Sequence, residues 1–287
     1  MNQSKKQKKK RKFSFSTFIL IVIFIVGLSV LLYPTISNWW NSMHMSQAIV
    51  TYQEKLKDTS EEERKAMLAA ADDYNQRLFE RNAGIGTNLE DYDSVLDITG
   101  TGIMGYITIE KLNLKLPIYH GMDASVLQIG IGHVSGSSLP VGGKNTFTVL
   151  SGHSGMPNAR LFTDINQLVE GDVFYITVLN RKIAYEVDDI STVLPQEVEE
   201  LDIVPGGDYC VLVTCTPYGV NTHRLLVRGH RISLQENTTE EQVQQLDWRI
   251  GLLAVILLLL LLLLCIFLLW RRHRKKKKQN HEKTEIS

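Results

Sequence analysis

The sequence predicts a mostly β domain, closed or sandwich-like, with a helical N-terminal extension and two flanking transmembrane helices. Three observations carry this. Between residues 101 and 235, seven or eight short β-type runs alternate with turn residues. Residues 42–82 repeat their apolar positions at helical spacing instead. Two apolar stretches, 13–33 and 250–270, sit beside strongly basic tails. Of 287 residues, those between the two stretches suffice for one sizeable core. A small stapled peptide and a wholly soluble cytoplasmic enzyme are excluded.

Residues 1–12 form a basic tail with seven Lys/Arg and no acid. The apolar stretch that follows reads either as a cleaved signal peptide or as an uncleaved anchor. Tyr33, Pro34, Asn38, Trp39 and Trp40 follow it with no convincing small-x-small cleavage site, so an anchor is expected. Ile250–Trp270 carries no charge and is long enough to cross the ~30 Å hydrocarbon core. Trp248 and Trp270 bracket it, and a basic tail, 271–287, follows. By the positive-inside rule both tails are cytoplasmic and the domain between them lies outside the cell membrane.

The formal net charge of zero hides this layout. Of 31 basic and 31 acidic residues, the two tails take fifteen bases and two acids. Residues 13–270 keep sixteen bases against twenty-nine acids, a net of −13. A nucleic-acid binder puts positive charge on its folded domain; this chain does the reverse, so no nucleic-acid partner is expected.

Residues 34–100 read as the helical extension and a lid-like loop. Thr35–Asn41 is expected as a juxtamembrane link. Ser60 followed by Glu63 is a capping box that starts a second helix near Glu61. Met67, Leu68, Ala71, Tyr74 and Leu78 form its apolar face. Residues 83–100, rich in Gly, Asn and Asp, read as a loop of lid or binding-loop length. The β runs are Ile103–Ile109, Leu114–Tyr119, Thr146–Ser151, Val173–Leu179, Lys182–Asp188, Tyr209–Thr214 and Arg224–Ile232. Asn180–Arg181 predicts a tight hairpin. Residues 236–249 are read as a linker to the second span.

Cys210 and Cys215 are five apart in one predicted strand, so they point to opposite faces and are poorly placed to pair. An exported domain without a plausible disulfide is unusual, because export is where disulfides persist. A free thiol there points to chemistry. Pro217, Gly219 and Asn221 force a turn after Cys215, and the returning run brings Arg224 beside it. A neighbouring guanidinium favours thiolate and can hold a developing oxyanion. The chemistry also needs a proton carrier. His153 lies at a strand end opening into Gly152-His-Ser-Gly155, but His120 and His133 also sit beside glycines, and spacing alone does not choose among them.

The run Leu212–Val227 resembles the sortase signature, Thr-Leu-x-Thr-Cys followed by Arg. Here it reads Val211-Leu-Val-Thr-Cys215, with Arg224 nine positions on. The string Cys215–Arg231 resembles class C, pilin-polymerising sortases in particular. So do Met104–Ile109, Leu116–Gly121, Gly136–Gly143 and Leu161–Asp164. The resemblance spans residues 65–235 and implies an eight-stranded sortase-type β-barrel, with 101–235 as the catalytic part. It implies Cys215 as nucleophile, His153 as acid/base and Arg224 as oxyanion or substrate clamp. The implied substrate is an LPxTG-like sorting signal on a pilin, with a Lys amine of another pilin as acceptor. No cofactor or metal is expected. The alternatives are attachment to a cell-wall peptide amine and a non-catalytic exported scaffold or adhesin.

One departure stands out. Class C sortases usually carry an Asp-Pro-aromatic lid anchor over the cysteine, and residues 83–100 contain none. Asp91-Tyr92 is the one degenerate candidate; a lid that is absent or held differently is the expectation.

Overall fold

The computed structural model describes residues 15–86, 88–198 and 202–234. The basic tails, the linker and the second apolar stretch lie outside the described residues.

Helix α1, Phe15–Asp58, runs for 44 residues. It is long and apolar enough to cross a membrane, and none of its most apolar window is buried in the protein. It continues through Thr35–Asn41, which corrects the expected link. The reason is tertiary. Asn38 Oδ1 accepts from the Arg160 backbone N–H at 3.0 Å, and Asn41 Nδ2 donates to the Asn158 carbonyl at 2.7 Å. These bonds tie the turn to the folded domain. Helix α2, Glu61–Asn82, opens with the capping box: Glu63 N–H donates to Ser60 Oγ at 3.2 Å, and Ser60 N–H donates to the Glu63 carboxylate at 2.9 Å.

Eight strands follow: β1 (Ile103–Ile109), β2 (Leu114–His120), β3 (Ile131–His133), β4 (Thr146–Ser151), β5 (Val173–Val178), β6 (Arg181–Val193), β7 (Asp208–Thr216) and β8 (His223–Ile232). They close as β1-β2-β3-β4-β7-β8-β6-β5. β2–β3 and β4–β7 are parallel and the other pairs antiparallel. A short helix α3, Ala124–Ile129, makes the crossover that a parallel β2–β3 pair requires. β3 has only three residues beside Gly130 and Gly132, so it gives little alternation to read. β6 extends to Val193 by pairing with β8, five residues beyond its apolar run. The hairpin turn sits at Leu179–Asn180, both at positive φ, one residue earlier than predicted.

The two ends of the barrel differ. At the far end lie the Leu179–Asn180 turn and the starts of β4 and β7. There α2 crosses the strands. Its first turns share a crevice with Leu179–Arg181, Asn75 bonds Leu139 through both N–H and C=O, and Asn82 reaches Asp202. Ala71, Tyr74 and Leu78 are buried beneath it. At the near end, the β4–β5 connection covers the interior with Ala159, Leu161, Phe162, Ile165 and Leu168, all buried. Each large side chain removed from water in this way contributes about 1.5–3 kcal/mol. α1 runs along β1 and β2 between the two ends. Asn41 marks the near end, and Tyr52, bonded to Met104 O and Leu179 N–H, lies toward the far one.

Candidate active site

Alternation along β7 sorts its side chains. Cys210, Leu212 and Thr214 point inward, and Cys210 and Leu212 join the main core. Val211 and Val213 point outward into a second apolar cluster with Phe147, Val149 and Leu226. Cys215 has the parity of that outer face. It is a free thiol, half-buried, beyond the upper edge of the cluster.

Cys215 lies directly opposite Arg224 in the β7–β8 ladder. Residues so paired share a face, with Cβ atoms about 5 Å apart. The turn between them has positive φ at Gly219 (75°) and Asn221 (63°). The Arg224 guanidinium folds back over it, donating from Nη1 to Asn221 O at 3.2 Å and His223 O at 3.1 Å. Among the described residues its remaining donors meet no partner.

β4 supplies the imidazole. Its register with β7 ends at Ser151 opposite Val213. The link continues through Gly152 N–H to Val213 O (3.0 Å) and Thr214 Oγ1 to Gly152 O (2.7 Å). Carried two residues on, the same register sets His153 level with Cys215, with outward parity like Phe147, Val149 and Ser151. Gly152 is required at the inward position between them: a Cβ there would approach Ile131 and Phe162 to 2.6–2.8 Å. Thr214 is a positioning residue that the sequence reading missed. Its signal was a hydroxyl, fully committed, inside an apolar strand.

The other histidines among the described residues are engaged. His133 is wholly buried; Nε2 donates to Ser138 O at 2.8 Å, and Nδ1 faces Tyr92 Oη at 2.9 Å. Burial pushes its pKa down to about 4. His120 has carbonyl partners at both ring nitrogens, Gly102 and Val95. His223 meets Thr222 Oγ1, and His230 faces Asp188 at 3.6 Å. His153 is half-buried, and no hydrogen bond or ion pair engages its ring among the described residues. The thiols divide in the same way. Burial and the nearby Asp208 carboxylate push Cys210 well above the usual thiol range.

Asp91-Tyr92 does not sit over Cys215. Asp91 pairs with Arg77 of α2, at 2.6 Å and 3.1 Å, and Tyr92 is buried against Tyr74, His120 and His133, accepting from Gly121 N–H. This part of the predicted lid is held on the β2–β3 wall. Among the described residues, no group that could hold a metal ion is formed.

A closed eight-stranded barrel with a free thiol and a guanidinium paired on one outer face, and an imidazole on the extension of the neighbouring strand, defines a thiol-bearing barrel. The chain belongs to the sortase family: residues 107–232 match the sortase domain, and sortase C1 from Streptococcus agalactiae is 48% identical, covering 66% of this chain and 100% of that one at a TM-score of 0.62. Clostridium perfringens sortase C, solved with the C-terminal cell wall sorting motif, is 43% identical over the same 66% of this chain and 100% of that one (TM-score 0.58). Sortase C of Streptococcus pneumoniae, whose structure bears on catalysis and pilin substrate specificity, is 36% identical, covering 67% and 100% (TM-score 0.60). Among curated relatives, the chain spans 57% of a Streptococcus agalactiae sortase A and 64% of a Bacillus subtilis sortase D.

Proposed function

We propose that this protein is a membrane-anchored cysteine transpeptidase that cleaves an LPxTG-like sorting signal and joins pilin subunits through a Lys isopeptide bond. The observation that carries the reading is the pairing of Cys215 with Arg224 on the outer barrel face, with the β4 register leading to His153. The apolar strip beside it, Phe147, Val149, Val211, Val213 and Leu226, lies under Val193, Val198 and Ile203. An extended peptide laid along its edge toward Cys215 presents a carbonyl to the thiol.

Cys215 Sγ, as thiolate, attacks the Thr carbonyl carbon of the signal. Arg224 holds the oxyanion, or the substrate beside it. The C–N bond to Gly breaks, His153 gives the leaving amine its proton, and a thioester remains. A Lys ε-amine of a second pilin then attacks. His153 takes its proton, the amide forms and Cys215 is released. The order of bond changes needs no cofactor. The α1 segment supports anchoring, and the basic tails support a domain facing outward with both termini cytoplasmic. Likeness to a sortase C bearing on pilin specificity supports the pilin substrate.

The test is co-expression with a pilin carrying a sorting signal. Covalent oligomers that survive denaturing gels are expected, and Cys215→Ala should lower their yield at least ~1,000-fold. Monomer joined only to cell-wall peptide would replace the pilin acceptor with a wall amine. Full product from Cys215→Ala would overturn the enzyme reading.

A further inference from the structure

We infer that the near end of the barrel, which carries Cys215, is set against the bilayer, with the β7–β8 turn touching lipid headgroups. The inference rests on the reading that α1 spans the membrane. α1 is one continuous helix from the apolar segment into the folded domain. Where it leaves the apolar run, after Leu32, the next polar side chains to engage the domain are Asn38 and Asn41. At ~1.5 Å per residue, Asn38 lies ~9 Å past Leu32, at headgroup depth or just beyond.

Both asparagines grip the β4–β5 connection, the loop that carries His153. Their partners are Asn158 and Arg160. Seventeen residues later, Asp58 ends the helix, and α2 then starts at the far end beside Leu179–Arg181. α1 therefore passes the barrel from its near end to its far end as it moves away from the membrane. The end that holds Cys215 is the membrane-proximal one.

The β7–β8 turn closes the same end. Tyr218 and Val220 are 70% and 65% exposed at its tip. The Tyr218 ring lies against Gly155, where a Cβ would approach it to 3.0 Å. Gly155 is three residues from Asn158, so no more than ~11 Å of chain separates the Tyr218 contact from the α1 grip. An exposed aromatic and a valine, flanked by His223 and Arg224, suit the boundary between headgroup and acyl chain. In this orientation the outer apolar strip stands away from the membrane with the thiol at its lower end. A peptide tethered in the same bilayer meets Cys215 within its first exposed residues.

Depth-resolved fluorescence quenching tests this on the full chain. In a Cys215→Ala, Cys265→Ala background, a small fluorophore is placed at Val220→Cys or, separately, Tyr218→Cys. Lys144→Cys, exposed at the far end, is the reference. In phosphatidylcholine–phosphatidylglycerol vesicles with headgroup spin labels, quenching at either turn position should exceed that at 144 at least twofold. Equal quenching at all three positions, in protein that floats with the vesicles, overturns the orientation and leaves the anchor intact. Protein that does not float, or that has lost residues 1–33, overturns both.

Discussion

At the far end of the barrel, α2 seals the strands with buried Tyr74 and Leu78 and a two-way bond between Asn75 and Leu139. At the near end, half-buried His153 follows the end of β4, Cys215 lies near the end of β7 and Arg224 near the start of β8. In the first region Asn75 and the Leu139 backbone, and Asn82 and Asp202, are bonded to one another. Polar groups of the second are tied to the backbone, with Thr214 spending its hydroxyl on Gly152 O and Arg224 one nitrogen on its own turn, while no hydrogen bond engages the His153 ring among the described residues. A stable end and a reactive end are thus built from the same strands by choosing which polar groups are satisfied internally.

The sharpest way to break this comparison uses the two thiols of β7. In a Cys265→Ala chain, Cys215 should react with a small disulfide reagent at least ~1,000-fold faster than Cys210, which must await opening of the core. Equal rates, read by peptide mass, would show that the strand faces are assigned wrongly.

Next comes acid. His133 is held neutral, and its pKa is pushed down to about 4 from an ordinary 6.5. Unfolded chains take up that proton first, so the stabilisation is full above pH 6.5 and is lost as pH falls toward 4. The loss is on the order of 3 kcal/mol. Urea unfolding of the detergent-held chain should show it, and His133→Gln should flatten that part of the pH profile. An unchanged slope would mean that the Tyr92–His133 cluster is hydrated.

Asn75→Ala strands the Leu139 N–H, while the Leu139 carbonyl keeps the Val141 N–H, and should cost about 2 kcal/mol, with Cys215 labelling unchanged. Faster labelling would reveal coupling between the two ends. Ser60→Ala, which removes the capping box at the start of α2, should cost about 1 kcal/mol in the same assay.

Several parts of this protein were legible because they depend on neighbours in sequence. The capping box at Ser60–Glu63 reads directly. So do most strands and the opposite faces of Cys210 and Cys215, since alternation is a local property of extended chain. Arg224 beside Cys215 was legible because one short turn joins them. The family motif pointed to His153, whereas spacing left His120 and His133 as equals. Only the packed structure shows that those two rings are taken up by Tyr92, Ser138, Gly102 and Val95.

By itself, then, the sequence determined the strand faces, the start of α2, the membrane-length segment and the pairing across the last hairpin. All of these follow from residue periodicity and local turns. Tertiary structure decided the closure of the barrel, the continuation of α1 through Thr35–Asn41 and the docking of Asp91-Tyr92 on the β2–β3 wall. It also placed Cys215 at the end of the barrel that the β4–β5 connection covers. Those features are contacts between residues as much as 122 positions apart, as between Asn38 and Arg160. No local pattern encodes such a contact, because its energy exists only once the chain has folded around it.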